Sequence, residues 1–479
     1  MMTPRISAIG RHALLLLTAG LFVTLLSGTT SPYRPWFGGD SAMFRLIGAA
    51  MAEGRTLYVD IWDHKGPGLF LIQWLGQALL PGRLGIFLVQ VLMLYATLAL
   101  LWATARRLAP EPVAWAAVMV GLAFLAPAYE HGNLSEEFSL PFIALVLFLL
   151  TREWAGAGSI RDWQFALAGA AFAYVVFLRI NNALPIFAAF AAYFVWALVT
   201  RAPLWRPLAT AVGGFVLVSA AFVVGFALAG ALPQMIDGTF LFSMRYTGNE
   251  AISPERMFAN GYVYLAAVAI VAPLAGAILD AQVRDRWTFL LLGWLLGACT
   301  AVALLLSSTG YFHYLQIGVP GIVLATALAF GPLTGARRLH ALAAALILVG
   351  ASVGTAAERE GRAQQRADEP AYTAQVLDIL AGVPAPERPG VYGWNVDARY
   401  FLNAETMPVH RYFTMQEWWG VSDPAVLDEA LGFVEEEKPR WIVATTVGEP
   451  RMQRILEREY RQQATNDRFV LYERVEAGE

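Results

Sequence analysis

Between Gly38 and Pro67 the chain reads Gly38-Gly39-Asp40, then Glu53-Gly54, Tyr58-Val59-Asp60 and Trp62-Asp63-His64-Lys65-Gly66-Pro67. An apolar run, Ala13 to Leu26, lies just upstream. Carboxylates, an imidazole and an ammonium therefore gather in one loop after a first membrane span. Ionisable groups held at a membrane face are costly, so they point to function. A second loop, Tyr129 to Glu137, carries Glu130, His131, Glu136 and Glu137. A late one, Ser308 to Tyr314, sets His313 between Tyr311 and Tyr314. A lysine or arginine beside a bilayer suits a phosphate, as a point charge or a bidentate fork respectively. A carboxylate in a cleft can take the proton of an attacking hydroxyl. If the donor is a sugar on a lipid phosphate, the leaving group departs as a stabilised anion and needs a cation more than a general acid. One base and a cationic phosphate clamp would then suffice, and these loops contain both.

The elements that position such loops follow from composition and periodicity. The chain is 57% hydrophobic and 15% charged, against roughly 25% charged in soluble domains, so most of it belongs in lipid. A net charge of -3 argues against nucleic acid as a partner. The single cysteine, Cys299, lies in an apolar run and supports no disulfide framework. Measured against the roughly 20 apolar residues a span needs, spans are expected near 10–28, 84–105, 112–128, 137–151, 164–180, 183–200, 207–230, 261–280, 287–307, 314–333 and 339–357, about 11 in all. Arg5 with Arg11, Arg106-Arg107, Arg152 with Arg161, Arg201 with Arg206, Arg284 with Arg286 and Arg337-Arg338 fall in alternate connections. By the positive-inside rule these face the cytoplasm and the three acidic or His-bearing loops face out. The N-terminal run is expected to stay as an uncleaved first span, because no clean cleavage site follows it. Ala42 to Ala52 and Leu69 to Leu80 read as helices in the interface plane of the first outer loop.

From Glu358 the chain turns charged. Tyr372–Leu380, Pro424–Glu437 and Pro450–Tyr460 read as helices, and Trp441–Thr445 and Phe469–Glu473 as strands. The expected fold is therefore mainly α: a polytopic membrane helix bundle, residues 1–357, with a small extracytoplasmic α/β domain, residues 358–479.

Each candidate also has a plainer reading. Asp40 could cap the helix that follows it, and Lys65 could snorkel to lipid headgroups. Glu136 and Glu137 could be a solvated loop, and His131 simple loop decoration. Arg179, beside Asn181-Asn182 at the outer end of a span, could anchor the interface or contact a lipid phosphate. Arg245-Tyr246 sits in the stretch Leu232 to Asn260, read as a solvated loop and long enough to be a mobile lid. Trp394, Tyr400, Trp418 and Trp419 could stack on sugar rings or pack a core.

The order and common side of these motifs resemble the GT-C glycosyltransferases, in particular bacterial enzymes similar to lipid A aminoarabinose transferases and protein O-mannosyltransferases. The resemblance implies catalysis outside the cytoplasmic membrane with polyprenyl-phosphate sugars. By position it makes Asp40 the catalytic base and Lys65 the lysine that contacts the lipid phosphate. It makes Glu136 or Glu137 the second-loop acid that binds metal or orients the acceptor, and His313 a phosphate or metal contact. Three departures stand out. Relatives often read Lys-Pro-Pro or Arg-Pro-Pro where this chain has Lys65-Gly66-Pro67; aminoarabinose transferases carry Glu where it has His64; and Ser41 follows Asp40 where protein mannosyltransferases pair two acids.

The combined expectation is an inverting membrane glycosyltransferase in the cytoplasmic membrane. It would move a sugar from a polyprenyl-phosphate donor to a glycan, lipid or protein hydroxyl, with Asp40 as base and Lys65, His313 and Arg179 at the donor phosphate. Asp63, His64, His131, Arg245, Tyr246 and Tyr311 are supporting candidates. A divalent cation (Mg, Mn or Zn) near Glu136, Glu137 or His64 is compatible, although no spacing forms a metal signature. The alternatives are a transporter or flippase for an amphiphilic lipid-linked substrate, which predicts midplane charges and repeated halves, and a sensor whose outer domain binds a ligand.

Overall fold

Long apolar stretches closed by arginine, glycine or proline satisfy their backbone internally only as helices, and the computed structural model of the chain is dominated by them. It describes residues 7–34, 38–249, 286–305 and 311–475, for 246–249 and 304–305 the backbone only. The helices in chain order are α1 (Ala8–Leu26), α2 (Gly39–Ala52), α3 (Pro67–Leu79), α4 (Arg83–Leu108), α5 (Glu111–Ala128), α6 (Ser135–Trp154), α7 (Asp162–Leu178), α8 (Leu184–Thr200), α9 (Trp205–Leu228), α10 (Leu232–Ile236), α11 (Phe242–Asn249), α12 (Trp287–Leu305), α13 (Val319–Phe330) and α14 (Ala336–Ala367). After them come α15 (Glu369–Ala381), β1 (Tyr392–Trp394), α16 (Ala398–Ala404), α17 (Glu417–Ser422), α18 (Pro424–Glu437), β2 (Trp441–Ala444), α19 (Pro450–Glu459), β3 (Tyr460–Thr465) and β4 (Val470–Arg474).

Among the described residues seven helical stretches are long and apolar enough to cross a membrane: Ala8–Leu26, Arg83–Leu108, Glu111–Ala128, Ile180–Thr200, Trp205–Leu228, Phe312–Phe330 and Ala336–Ala381. The chain is a multi-pass membrane protein. Two further apolar helices, Asp162–Leu178 and Trp287–Ala303, are shorter, and α6 carries charge at both ends, Glu136 and Glu137 in its first turn and Arg152 in its last. The span expected near 261–280 lies outside the described residues, as do Ser308, Thr309 and Gly310. The Arg179–Asn182 junction is a 3₁₀ turn, Ile180–Ala183, that joins α7 to α8.

The chain divides into two compact units, each of discontinuous segments. The first draws its described residues from Met1–Tyr33, Phe87–Gly225 and Ala251–Gly361. Its core is aliphatic, with Val113, Ala117, Ile143, Leu150, Ile186 and Ala325 fully or almost fully buried. Small residues set one crossing inside it. A Cβ on Gly169 of α7 would lie 1.8 Å from the Ala211 carbonyl oxygen, and one on Gly214 of α9 would lie 1.9 Å from that of Ala166. The two helices are in backbone contact, the packing that small residues permit in membranes.

The second unit comprises Arg34–Ile86, Phe226–Glu250 and Arg362–Glu479. It contains α2 and α3, the two helices expected in the first outer loop, and the α/β region. Its sheet has the order β1-β2-β4-β3, with β1 parallel to β2 and the other neighbours antiparallel. Trp441 to Ala444 is buried throughout, as a central strand requires. The stretch from 232 to 249 is not a loop. It is helical, α10 running through a π turn, Asp237–Leu241, into α11; Pro233 in the first turn of α10 starts it. Trp394, Tyr400 and Trp419 are fully buried and form core, so they are not sugar platforms, whereas Trp418 is 39% exposed.

Candidate active site

The second unit brings Asp40, Asp63, His64 and Lys65 together. α2 starts at Gly39 with Gly38 as its N-cap and no side-chain cap bond, so Asp40 stands in the first turn rather than at the cap. The N–H groups of a helix's first turn lack intrahelical partners, and the turn favours a negative charge. Asp40 is 56% exposed. The opposing segment is shaped by a tight turn. The Tyr58 amide donates to the Ile61 carbonyl at 2.7 Å, and Asp60 Oδ2 accepts from the Thr56 amide at 2.7 Å. Tyr58 itself adopts φ +69°, a conformation that a bulky residue holds only when its surroundings fix it. Its hydroxyl supplies the reason, donating to the Lys65 carbonyl at 2.6 Å and lying 3.1 Å from Thr239 Oγ1. Burial pushes this phenol well above its ordinary pKa, the Thr239 hydrogen bond opposing and the Asp63 charge adding, so it remains a neutral donor.

Asp63 is buried and accepts from the Lys65 amide through Oδ1 at 2.9 Å. Lys65 then presents its ammonium to three neighbours: His64 Nε2 at 2.8 Å, Asp63 Oδ1 at 3.9 Å and Asp40 Oδ2 at 4.0 Å. With Lys65 donating to Nε2, the neutral imidazole carries its proton on Nδ1, which faces Asp63 Oδ1 at 3.8 Å. The ammonium also lies 5.7 Å from the Phe44 ring centre. Gly66 and Pro67 end the loop, Gly66 as the N-cap of α3 and Pro67 inside its first turn. Aromatic rings enclose His64: Phe242 at 5.6 Å, Trp418 at 6.0 Å and Trp62 at 6.4 Å between centroids. The arrangement offers an exposed carboxylate able to take a proton and, 4.0 Å away, a cation anchored by a histidine and a buried acid.

Arg245 belongs to the same unit but is committed elsewhere. It reaches Asp237 at 2.9 Å and Asp423 at 2.6 Å. Burial alone would lower its pKa, but those two carboxylates raise it. The side chain of Tyr246 lies outside the described residues.

In the first unit the acidic second loop is a left-handed turn, with φ of +40°, +73°, +71° and +60° at Glu130, His131, Gly132 and Asn133. Gly132 is required there. A Cβ would meet Tyr129 Cε1 at 2.6 Å and Gln90 Nε2 at 3.0 Å. Glu137 holds this turn. Its oxygens accept from the Asn133 amide at 2.8 Å, the Tyr129 hydroxyl at 2.6 Å and Gln90 Nε2 at 2.9 Å, and it is almost fully buried. Glu136 is equally buried but faces other partners: Arg179, and Ser135 Oγ at 3.0 Å. Arg179 also covers the Tyr314 ring at 4.4 Å. His313 pairs with Glu130 and stacks on Tyr311 at 5.3 Å. Burial would raise Glu130, but the hydrogen bond and charge of His313, with His131 nearby, hold it below the usual carboxylate range. His131 pairs with Glu360 of α14.

Among the described residues no three His, Cys, Asp or Glu side chains gather in a way that could hold a metal ion. Glu137 is filled by protein donors and Glu136 is neutralised by Arg179, while His64 Nε2 faces an ammonium. These residues do not fit a divalent cation. Sequence reasoning missed the anchoring parts: Tyr58, Gln90 and Glu360. Gln90 had a readable signal, an amide inside an otherwise apolar span. Tyr58 stood inside the Tyr58-Val59-Asp60 motif without an assigned role, and Glu360 had no signal.

Residues 64–226 match the family model described as dolichyl-phosphate-mannose-protein mannosyltransferase. No curated protein sequence matches the chain. Among solved structures, the fold is similar to ArnT from Cupriavidus metallidurans bound to undecaprenyl phosphate, with a TM-score of 0.61 at 15% identity over 98% of this chain and 99% of that one. The apo form of the same ArnT matches with a TM-score of 0.56, again at 15% identity and over 98% and 99% of the two chains. The fold is thus the GT-C fold that the loop motifs resemble.

Proposed function

We propose that the chain is a membrane glycosyltransferase that moves a sugar from a polyprenyl-phosphate donor to an acceptor hydroxyl on the outer face of the cytoplasmic membrane. The observation that carries this reading is the Lys65 ammonium 4.0 Å from the exposed Asp40 carboxylate, at the start of α2. The matched family description names a dolichyl-phosphate sugar, and the ArnT with the same fold is bound to undecaprenyl phosphate. Both point to a donor of the same chemistry.

Asp40 takes the proton of the acceptor hydroxyl as its oxygen attacks the anomeric carbon from the face opposite the phosphate. The new carbon–oxygen bond forms, the old one breaks, and its electron pair leaves on the polyprenyl phosphate, so configuration inverts. Lys65 stabilises the departing phosphate as a point charge, and no general acid is needed. His64 and Tyr58 are positioning residues, the first fixing the Lys65 ammonium and the second its backbone. Of the two second-loop acids, Glu137 is committed to holding its own turn and Glu136 is paired with Arg179. The residues of the transfer step lie within 1–357, and residues 358–479, on the outer face, hold the loop that carries them.

The test is release of radiolabelled sugar from a panel of polyprenyl-phosphate donors by the protein in nanodiscs. Asp40→Asn is expected to lower turnover by roughly 10²–10⁴-fold, the usual contribution of a general base. Wild-type turnover in a folded Asp40→Asn protein would sink the mechanism. Movement of intact donor across the bilayer without cleavage would favour a flippase.

A further inference from the structure

Within the second unit, on the other side of Tyr58 from Lys65, lies an open cavity of about 520 Å³ that the transfer mechanism does not use. Its walls come from the first outer loop, through Arg55, Val59 and Asp60, and from the segment Val409-His410-Arg411 with Glu429 of α18. The polar groups alternate in kind. Arg55 donates to the Pro408 carbonyl through one nitrogen. Asp60 uses one oxygen in the loop turn, at the Thr56 amide. Arg411 forks onto Glu429 and donates to the Tyr58 carbonyl at 3.2 Å. His410 accepts from the Tyr412 amide through Nδ1 at 3.2 Å, which leaves Nε2 as the N–H, 3.7 Å from Glu429 Oε1. Burial, with Arg411 beside it, pushes His410 down to about 4, so the ring is neutral at neutral pH. Glu429 would oppose that shift, but its charge is already matched by the Arg411 fork. Two apolar side chains, Val59 and Val409, are 38% and 37% exposed.

An anion here would meet Asp60 and Glu429, and a cation would meet Arg55 and Arg411. Neither sign is favoured. A ligand of hydroxyls suits both, because each hydroxyl donates once and accepts twice. The C–H faces of a sugar ring would lie on Val59 and Val409. The cavity falls within the range of small-ligand sites, about 300–1,000 Å³, and has room for one or two sugar residues. We propose that it binds a neutral sugar unit of a glycan acceptor. The role as acceptor site rests on the transferase reading; the binding itself does not. Tyr58 gives the cavity a direct line to the catalytic loop, since its carbonyl is held by Arg411 and its hydroxyl holds Lys65.

The experiment is saturation-transfer NMR on the full chain in nanodiscs with maltose, lactose and cellobiose, and with glucuronate, glucosamine and tetra-alanine as comparisons. Val409→Trp and the smaller Val409→Phe both narrow the cavity; Val409 takes no part in donor cleavage. Both variants are first checked for an unchanged melting temperature. One or more neutral disaccharides are expected to bind the wild type and to weaken by about tenfold in Val409→Trp, with sugar release from donor to water unchanged. Binding that survives Val409→Trp, binding only of glucuronate, glucosamine or the peptide, or binding of nothing overturns the proposal. Disaccharide binding by a protein that cleaves no donor would leave this site standing and sink the transferase reading instead.

Discussion

Two adjacent glutamates at the start of α6 illustrate how far residue identity reaches. Glu136 and Glu137 are indistinguishable by position in the chain, and both are buried. Their partners separate them. Glu136 faces Arg179, a charge on another helix, whereas Glu137 accepts from the Asn133 amide, Tyr129 and Gln90. Removing Glu137 leaves several buried donors without an acceptor, each costing about 1–3 kcal/mol. Glu137→Ala is therefore expected to destabilise the protein by about 3 kcal/mol or more, read as a lower melting temperature in detergent, while the folded fraction still cleaves donor. Wild-type melting with lost cleavage would instead put Glu137 in the chemistry. The same logic applies to His64. Where similar enzymes carry a glutamate, this chain has an imidazole that takes a hydrogen bond from Lys65. A carboxylate would bind that ammonium by charge; the histidine directs it while leaving more of its charge for a phosphate.

At the scale of elements, helix existence and extent were readable because apolar runs are bounded by arginine. The run expected at 207–230 is α9, Trp205–Leu228, and the one at 112–128 is α5, Glu111–Ala128. The helix at Gly39–Ala52 was visible from the helical spacing of its apolar residues, and the one at Pro67–Leu79 from a short apolar run closed by Pro81-Gly82. What the pattern could not carry was tertiary. The stretch from 232 to 249 contains Pro233, Asp237, Gly238 and Gly248, which read as breakers, yet it is helical because Thr239 and Phe242 pack on Tyr58 and Trp62. β1 has only three residues and β3 is polar and mostly exposed, and each is an edge strand paired to β2 or β4. In the site, the order of Asp40 and Lys65 was legible, but the left-handed turn that makes Glu137 structural was not. Glycine spacing also hides its meaning until neighbours are known. Gly213 and Gly214 are consecutive in α9, but a Cβ meets nothing within 4 Å at the first and the Ala166 carbonyl at 1.9 Å at the second. Gly213→Ala should stabilise by up to about 1 kcal/mol, the helix-propensity gain. Gly214→Ala should force α7 and α9 apart and destabilise by at least the 1–3 kcal/mol of an overpacked core. Thermal melts of the two variants decide it, and equal shifts would refute the backbone contact.

On the scale of the whole molecule, the notable feature is that the loop carrying Asp40 and Lys65 folds with the chain's far end. Asp40 and Lys65 lie in Arg34–Ile86, and the same compact unit takes in Phe226–Glu250 and Arg362–Glu479. The bonds that shape the loop cross that long separation. The Trp62 amide donates to the Arg411 carbonyl at 3.1 Å, Arg411 donates to the Tyr58 carbonyl, and Trp62 packs edge-on against Tyr412 and Trp419, each at 5.1 Å. Tyr58 sits at positive φ, a conformation that holds only under such constraint. An outer domain that merely captured acceptor could be deleted with donor cleavage intact. Here deletion removes the clamp on Tyr58 and with it the anchor for the Lys65 backbone. A chain ending at Gly361 is therefore expected to lose sugar release to water as well as transfer to acceptor, even where its helices still insert and purify. Retained release to water would mean that the first loop holds its own shape, and that the C-terminal residues serve acceptor binding alone. Co-expression of residues 362–479 as a separate chain sharpens the choice. Recovery of cleavage would show that the packing around Trp62, rather than the covalent link, sets the geometry of Asp40 and Lys65.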